Sequence, residues 1–199
     1  MRPLVLLDVD GVLNAVGREW DLANRQNWRA GTAVADGRSW PIRWAPEVTE
    51  AVRRWTESAD VRWLTTWGHD ANASLRRLLD LPQLVVAGTH DEAVIDKCDT
   101  DEGSPTPAIE AHAAVTPAAP ESLTGRWWKF DIARQLVERE PRRRVVWLDD
   151  DLAVQEDVRS WMRAHAECLL IAPQLRTGLT PQHVRAVDAF LASQLPPAA

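Results

Sequence analysis

Five short apolar runs constrain this chain more than any other feature of its sequence. They are "LVLLDV" (Leu4–Val9), "VRWLTTW" (Val61–Trp67), "LVVA" (Leu84–Ala87), "RVVWLDD" (Arg144–Asp150) and "CLLIA" (Cys168–Ala172). Each is too short for a buried helix and has the length and β-branched content of a strand buried on both faces. Helical patterns alternate with them: "PEVTEAVRRWTES", "DANASLRRLLDL", "WWKFDIARQLVERE", "EDVRSWMRAHA" and "TPQHVRAVDAFLASQL". Strands alternating with helices predict an α/β fold, a Rossmann-like three-layer sandwich around a central, mostly parallel five-stranded sheet. In such sheets ligands bind beyond the carboxyl ends of the strands.

Local signals set the boundaries. Pro46 and Pro181 suit first helical positions, with Thr180 an N-cap before Pro181 and Asp70 an N-cap for the helix that follows it. Two segments interrupt the alternation. Residues 15–45 hold "GTAVADGRSWPIRW", a β-hairpin whose Asp36-Gly37 suits a two-residue turn. Residues 88–125 are rich in Pro, Ala, Ser, Thr and acids with no sustained period, and read as an irregular loop insertion. The whole of 1–199 reads as one domain, with 15–45 a small flap or cap.

Composition narrows the function classes. The net charge of −6 gives no broad attraction to nucleic acid or anionic membrane, although a local basic patch is compatible with it. No apolar run approaches the ~20 residues that span a bilayer, and Asp8 cuts off the N-terminal one, so a cytoplasmic protein is expected. Cys98 and Cys168 make no disulfide framework and no zinc spacing.

The strand ends carry the chemistry. The first run ends in Asp8 and Asp10, the second in Thr65-Thr66, the fourth in Asp149-Asp150-Asp151, and Lys129 opens the helix before that. Carboxylates this close repel unless a cation neutralises them. An all-oxygen acidic set suits Mg²⁺, which binds a few carboxylates together with substrate phosphate. Lys129 adds a point charge suited to phosphate, so the set has the make-up of a phosphoryl-transfer site. Each residue also has a plainer explanation. An Asp after a strand is commonly a turn or cap residue, and Asp151 fits an N-cap. Thr65 could be an ordinary strand residue, and Lys129 a solvated charge.

"DVDGVLN", "WLTTW", "WWKFD" and "VVWLDDD", in this order, resemble the four motifs of the haloacid dehalogenase (HAD) superfamily. The resemblance covers residues 4 to 172. It is similar in flavour to small-cap actinobacterial HAD domains and to those of "Swiss army knife" RNA-repair proteins. It implies a HAD-like fold and a Mg²⁺-dependent phosphatase working through an aspartyl-phosphate. Asp8 would be the nucleophile and Asp10 the acid and base, with its main-chain carbonyl on the metal. Thr65 and the Thr66 amide would bind phosphoryl oxygen, Lys129 would balance charge, and Asp150, assisted by Asp149, would join Asp8 and Asp10 as metal ligands. Asp10 favours phosphate over halide chemistry. Val12 stands where many such phosphatases carry Thr, and Val154 and Gln155 stand where longer acidic motifs have a further Asp.

Superfamily members choose substrates with cap insertions, and neither insertion here has the size of a large folded cap. An open site admits a bulky phosphorylated substrate, such as a nucleotide or a nucleic-acid end. Trp20, Trp28, Trp40 and Trp44, with Arg18, Arg25, Arg29 and Arg43, could stack on or clamp such a substrate. The alternative is that these tryptophans cover the flap's own small core. Two other function classes fit parts of the pattern. A signalling receiver domain uses an Asp pair, an acceptor Asp, a Thr and a Lys, but its acidic pair comes first, whereas here it comes last. A catalytically idle domain would keep the site only to bind metal or phosphate.

Overall fold

The computed structural model describes residues 1–16, 27–91 and 127–193. The flap residues Arg18, Trp20 and Arg25, and nearly all of the expected loop insertion 88–125, lie outside the described residues. Five parallel strands form the central sheet: β1 (Leu4–Leu7), β4 (Asp60–Trp63), β5 (Val85–Val86), β6 (Val145–Leu148) and β7 (Cys168–Ile171), in the order β5-β4-β1-β6-β7. All four side chains of β1 are buried. Successive strand side chains alternate faces, so Val5 and Leu7 serve one core and Leu4 and Leu6 the other. On the first face lie α1 (Pro46–Ser58) and the last helix, α5 (Pro181–Ala192), joined by the Trp55 indole N–H donating to Asp188 at 2.7 Å. On the second face lie α3 (Trp128–Arg139) and α4 (Glu156–His165), whose Trp128, Ile132, Val158 and Met162 pack with Leu4, Leu6 and Trp147. This is the expected three-layer sandwich.

Register decides what reaches the carboxyl edge. Leu7 pairs with Trp63 on one side and with Leu148 on the other, so three strands end level. The ladder then closes with Leu64 N–H on Leu7 O at 3.0 Å and Asp8 N–H on Leu148 O at 3.0 Å. The next residues out are Asp8, Leu64 and Asp149, with Thr65 one position beyond Leu64. The second strand is shorter than the run Val61–Trp67 suggests: a turn with Gly68 N–H donating to Thr65 O takes over beyond Leu64.

The hairpin of β2 (Arg29–Ala35) and β3 (Arg38–Trp44) forms as expected. Asp36 and Gly37 both have positive φ, 50° and 69°, which matches the right-handed twist of the flanking strands. The helix expected from Asp70 differs. Ala71–Leu75 is a wide π turn, followed by only one regular turn, α2 (Arg76–Leu78). Asp70 makes no cap hydrogen bond: its carboxylate accepts from Asp36 N–H of the hairpin at 2.9 Å. Ser74 likewise accepts from Val34 N–H, and Asn72 holds Trp63 Nε1 and both backbone groups of Leu84. Short polar side chains that bond elsewhere compete with the regular helix, and this segment docks the hairpin instead. Thr180 does cap α5, in a reciprocal box with His183. Among the described residues, no helix is long and apolar enough to cross a membrane.

Candidate active site

Lys129 is the hub of the carboxyl edge. Its side chain is buried in the first turn of α3, at 1% exposure, and Nζ donates to Asp8 Oδ2 and to Asp149 Oδ2, each at 2.8 Å. Burial alone would drive the proton off an amine, but the two carboxylates outweigh it and hold Lys129 well above the usual lysine range. Lys129 is therefore an ammonium at any physiological pH.

The acidic motif divides into unlike residues. Asp149 is fully buried, and both of its oxygens are engaged, Oδ2 by Lys129 and Oδ1 by Asp151 N–H at 3.1 Å. Asp150 opens a short 3-10 turn, Asp150–Val154, and is half-buried. Burial, with Asp8 and Asp151 nearby, pushes its carboxyl up to about 7. Asp8, Asp149 and Asp150 each offer a carboxylate oxygen, and these lie within 4.8 Å of one another. Gly11, at φ +69°, makes room for this: a Cβ there would sit 2.3 Å from the Asp150 carboxyl carbon. A cluster of hard oxygen donors, short of positive charge and with a glycine cleared around one of them, fits a small divalent cation.

Asp10 is held apart from that trio. Asn14 Nδ2 donates to its Oδ1 at 2.7 Å and the Trp67 indole N–H to its Oδ2 at 2.9 Å. Burial nevertheless keeps the Asp10 carboxyl above its ordinary range, against the pull of these two donors. Thr65 is buried at 1% exposure, and its hydroxyl oxygen accepts from Trp67 N–H at 3.3 Å; Thr66 is exposed. The sheet edge thus brings together Asp8, Asp10, Thr65, Lys129, Asp149 and Asp150. Asn14 and Trp67 were not singled out from sequence. An Asp and an Asn four residues apart, and a tryptophan two residues after the Thr, are the signals that point to them.

The flap residues fare differently. Trp44 is 6% exposed and packs in the core with Ala33 and Ile42, as the packing alternative for these tryptophans requires. Trp28 and Trp40 lie half-buried against the same core, and Arg29 is exposed. The hairpin is bolted to the loop that follows β1, since Asn14 Oδ1 accepts from Arg43 N–H at 2.9 Å and Arg43 O from Ala15 N–H at 3.0 Å.

With this geometry in place, comparison with known proteins adds the family. No curated protein and no solved structure matches the chain significantly. The family model described as the HAD domain in Swiss Army Knife RNA repair proteins matches residues 4–184, nearly the whole described chain. The chain belongs to that family of HAD domains.

Proposed function

We propose that this protein is a Mg²⁺-dependent phosphomonoesterase working through an aspartyl-phosphate on Asp8. The observation that carries the reading is the Lys129 ammonium bridging Asp8 and Asp149 at a sheet edge where Asp150 adds a third carboxylate. Asp8, Asp150 and the Asp10 main-chain carbonyl would hold the cation, which when bound supplies charge for the phosphate oxygens. Asp149, with both oxygens engaged, anchors Lys129. Lys129 holds Asp8 Oδ2 in place through its hydrogen bond, and Thr65 and the Thr66 amide orient a phosphoryl oxygen.

Asp8 Oδ attacks phosphorus as the ester P–O bond breaks. The electron pair leaves on the ester oxygen, which takes a proton from the Asp10 carboxyl. In the second step the Asp10 carboxylate takes a proton from water as the water oxygen bonds to phosphorus. The acyl P–O bond then breaks, returning the Asp8 carboxylate and inorganic phosphate. The raised Asp10 carboxyl suits a group that must hold a proton before giving it.

The substrate class we propose is a phosphorylated nucleotide or nucleic-acid end. The family description and the exposed Arg29 beside Trp28 support it. Wild-type protein with Mg²⁺ should hydrolyse p-nitrophenyl phosphate, and Asp8→Asn should reduce that to background. A folded wild-type protein inert toward every phosphate ester, including 3′- and 5′-phosphorylated oligonucleotides, would leave only an idle phosphate-binding domain. Loss of oligonucleotide but not p-nitrophenyl phosphate turnover in Arg29→Ala would support the flap contact, and unchanged turnover of both would remove it.

A further inference from the structure

Asp10 is the one acidic group of the site whose carboxylate is pinned by two neutral N–H donors rather than by a cation. Asn14 holds Oδ1 at 2.7 Å and Trp67 holds Oδ2 at 2.9 Å. Two donors on opposite oxygens fix the rotation of the carboxyl plane, and each oxygen keeps a lone pair for a proton. Both holders are themselves immobile. Trp67 is buried, and its backbone N–H is tied to the Thr65 hydroxyl. Asn14 is buried, and its other amide atom accepts from Arg43 N–H of the hairpin. Asn14 also closes the loop through its carbonyl, which accepts from Gly11 N–H at 2.8 Å. The Asp10 carboxyl is therefore framed by the first loop, the Thr65 turn and the flap at once.

We propose that Trp67 and Asn14 are positioning residues for proton delivery to the leaving group, Trp67 through its indole N–H and Asn14 as the link between Asp10 and the flap hairpin. The proposal rests on Asp10 being the acid of the phosphatase reaction above. Without the indole N–H the carboxyl is held through Oδ1 alone and its plane can turn about that contact, so the proton no longer lies on the line to the ester oxygen. Such a loss is felt only where the leaving oxygen needs a proton. p-Nitrophenolate leaves without one, whereas an alkoxide does not.

The test compares kcat/KM, which reports the step up to phospho-enzyme, for p-nitrophenyl phosphate and for an alkyl phosphate such as glycerol 2-phosphate. In Trp67→Phe, which keeps an aromatic ring in the core, the alkyl ester should lose about 100-fold, the scale of a misplaced catalytic group. The aryl ester should lose less than about 3-fold, since its leaving group makes no demand on the acid. Asn14→Ala, measured the same way, should show the same split and stands in should Trp67→Phe not fold. Equal losses on the two esters in a folded variant would overturn the proposal, because lost packing does not discriminate between leaving groups. Wild-type protein inert toward both esters and toward phosphorylated oligonucleotides would overturn the phosphatase reading and this inference together; wild-type turnover without the split overturns this inference alone.

Discussion

The two ends of the same sheet handle clustered charge in opposite ways. At the amino edge Asp60 accepts from Arg62 and from Arg143, each at 2.6 Å, and Arg143 reaches Glu140 at 3.0 Å. Burial would raise the Asp60 carboxyl, but the two guanidiniums overcome that and hold it below its ordinary range. Two acids meet two bases, and the network closes. At the carboxyl edge Asp8, Asp10, Asp149, Asp150 and Asp151 gather around the Lys129 ammonium, and burial keeps Asp10, Asp150 and Asp151 above their ordinary range. A balanced cluster welds strands together. An unbalanced one leaves room for positive charge from outside, which the proposed function supplies as a divalent cation.

This contrast is open to direct attack. The largest stability effect belongs to Lys129→Met. Removing one partner of a buried ion network costs about 3–5 kcal/mol, and here two carboxylates lose their ammonium. Denaturant unfolding should show that loss growing with pH, as the stranded acids are forced to ionise, and phosphatase activity should vanish. At the amino edge Asp60→Asn should cost about 1–3 kcal/mol, the scale of an unsatisfied partner, and leave kcat unchanged. A large fall in kcat there would break the distinction between the two ends.

Cation linkage sharpens it further. Asp150 titrates near 7 in the fold against 3.8 as an isolated carboxyl, so its protonated form favours the folded state and that contribution fades as pH rises from about 4 to 7. Mg²⁺ competes with that proton. The rise in Tm on adding Mg²⁺ should therefore be larger at pH 8 than at pH 5, and Asp150→Asn should remove it. Asp60→Asn should keep it. The smallest effect belongs to a residue at neither end: Thr180→Ala should cost about 1 kcal/mol through loss of the α5 cap, with no change in turnover.

The carboxyl edge was legible in the sequence, and for a physical reason, whereas the Asp60–Arg143 cluster at the amino edge was not read there. Strand ends are fixed by short apolar runs, so Asp8, Thr65 and Asp149 could be placed on one edge from their positions alone. Lys129 followed because a helix start lies at that edge. The family resemblance ranked Asp150 above Asp149 as a metal ligand, but the physical difference between them was not visible, because adjacent acids look alike until one is buried against an ammonium and the other against a glycine. Trp67 carried no reading of its own; it packs in the core, and that its N–H also holds Asp10 depends on a tertiary contact across 57 residues. Asp70 read as a cap because caps are local, but the hairpin supplied a competing donor from 34 residues away.

The proposed reaction places the phosphoryl group on Asp8. Rapid acid quenching during turnover with Mg²⁺, followed by peptide mass analysis, reads this directly. The peptide containing Asp8 should carry one phosphoryl group, removed by hydroxylamine as an acyl-phosphate should be and absent in Asp8→Asn. Steady hydrolysis with no phosphoryl group on Asp8, or undiminished hydrolysis by Asp8→Asn, would contradict that reaction.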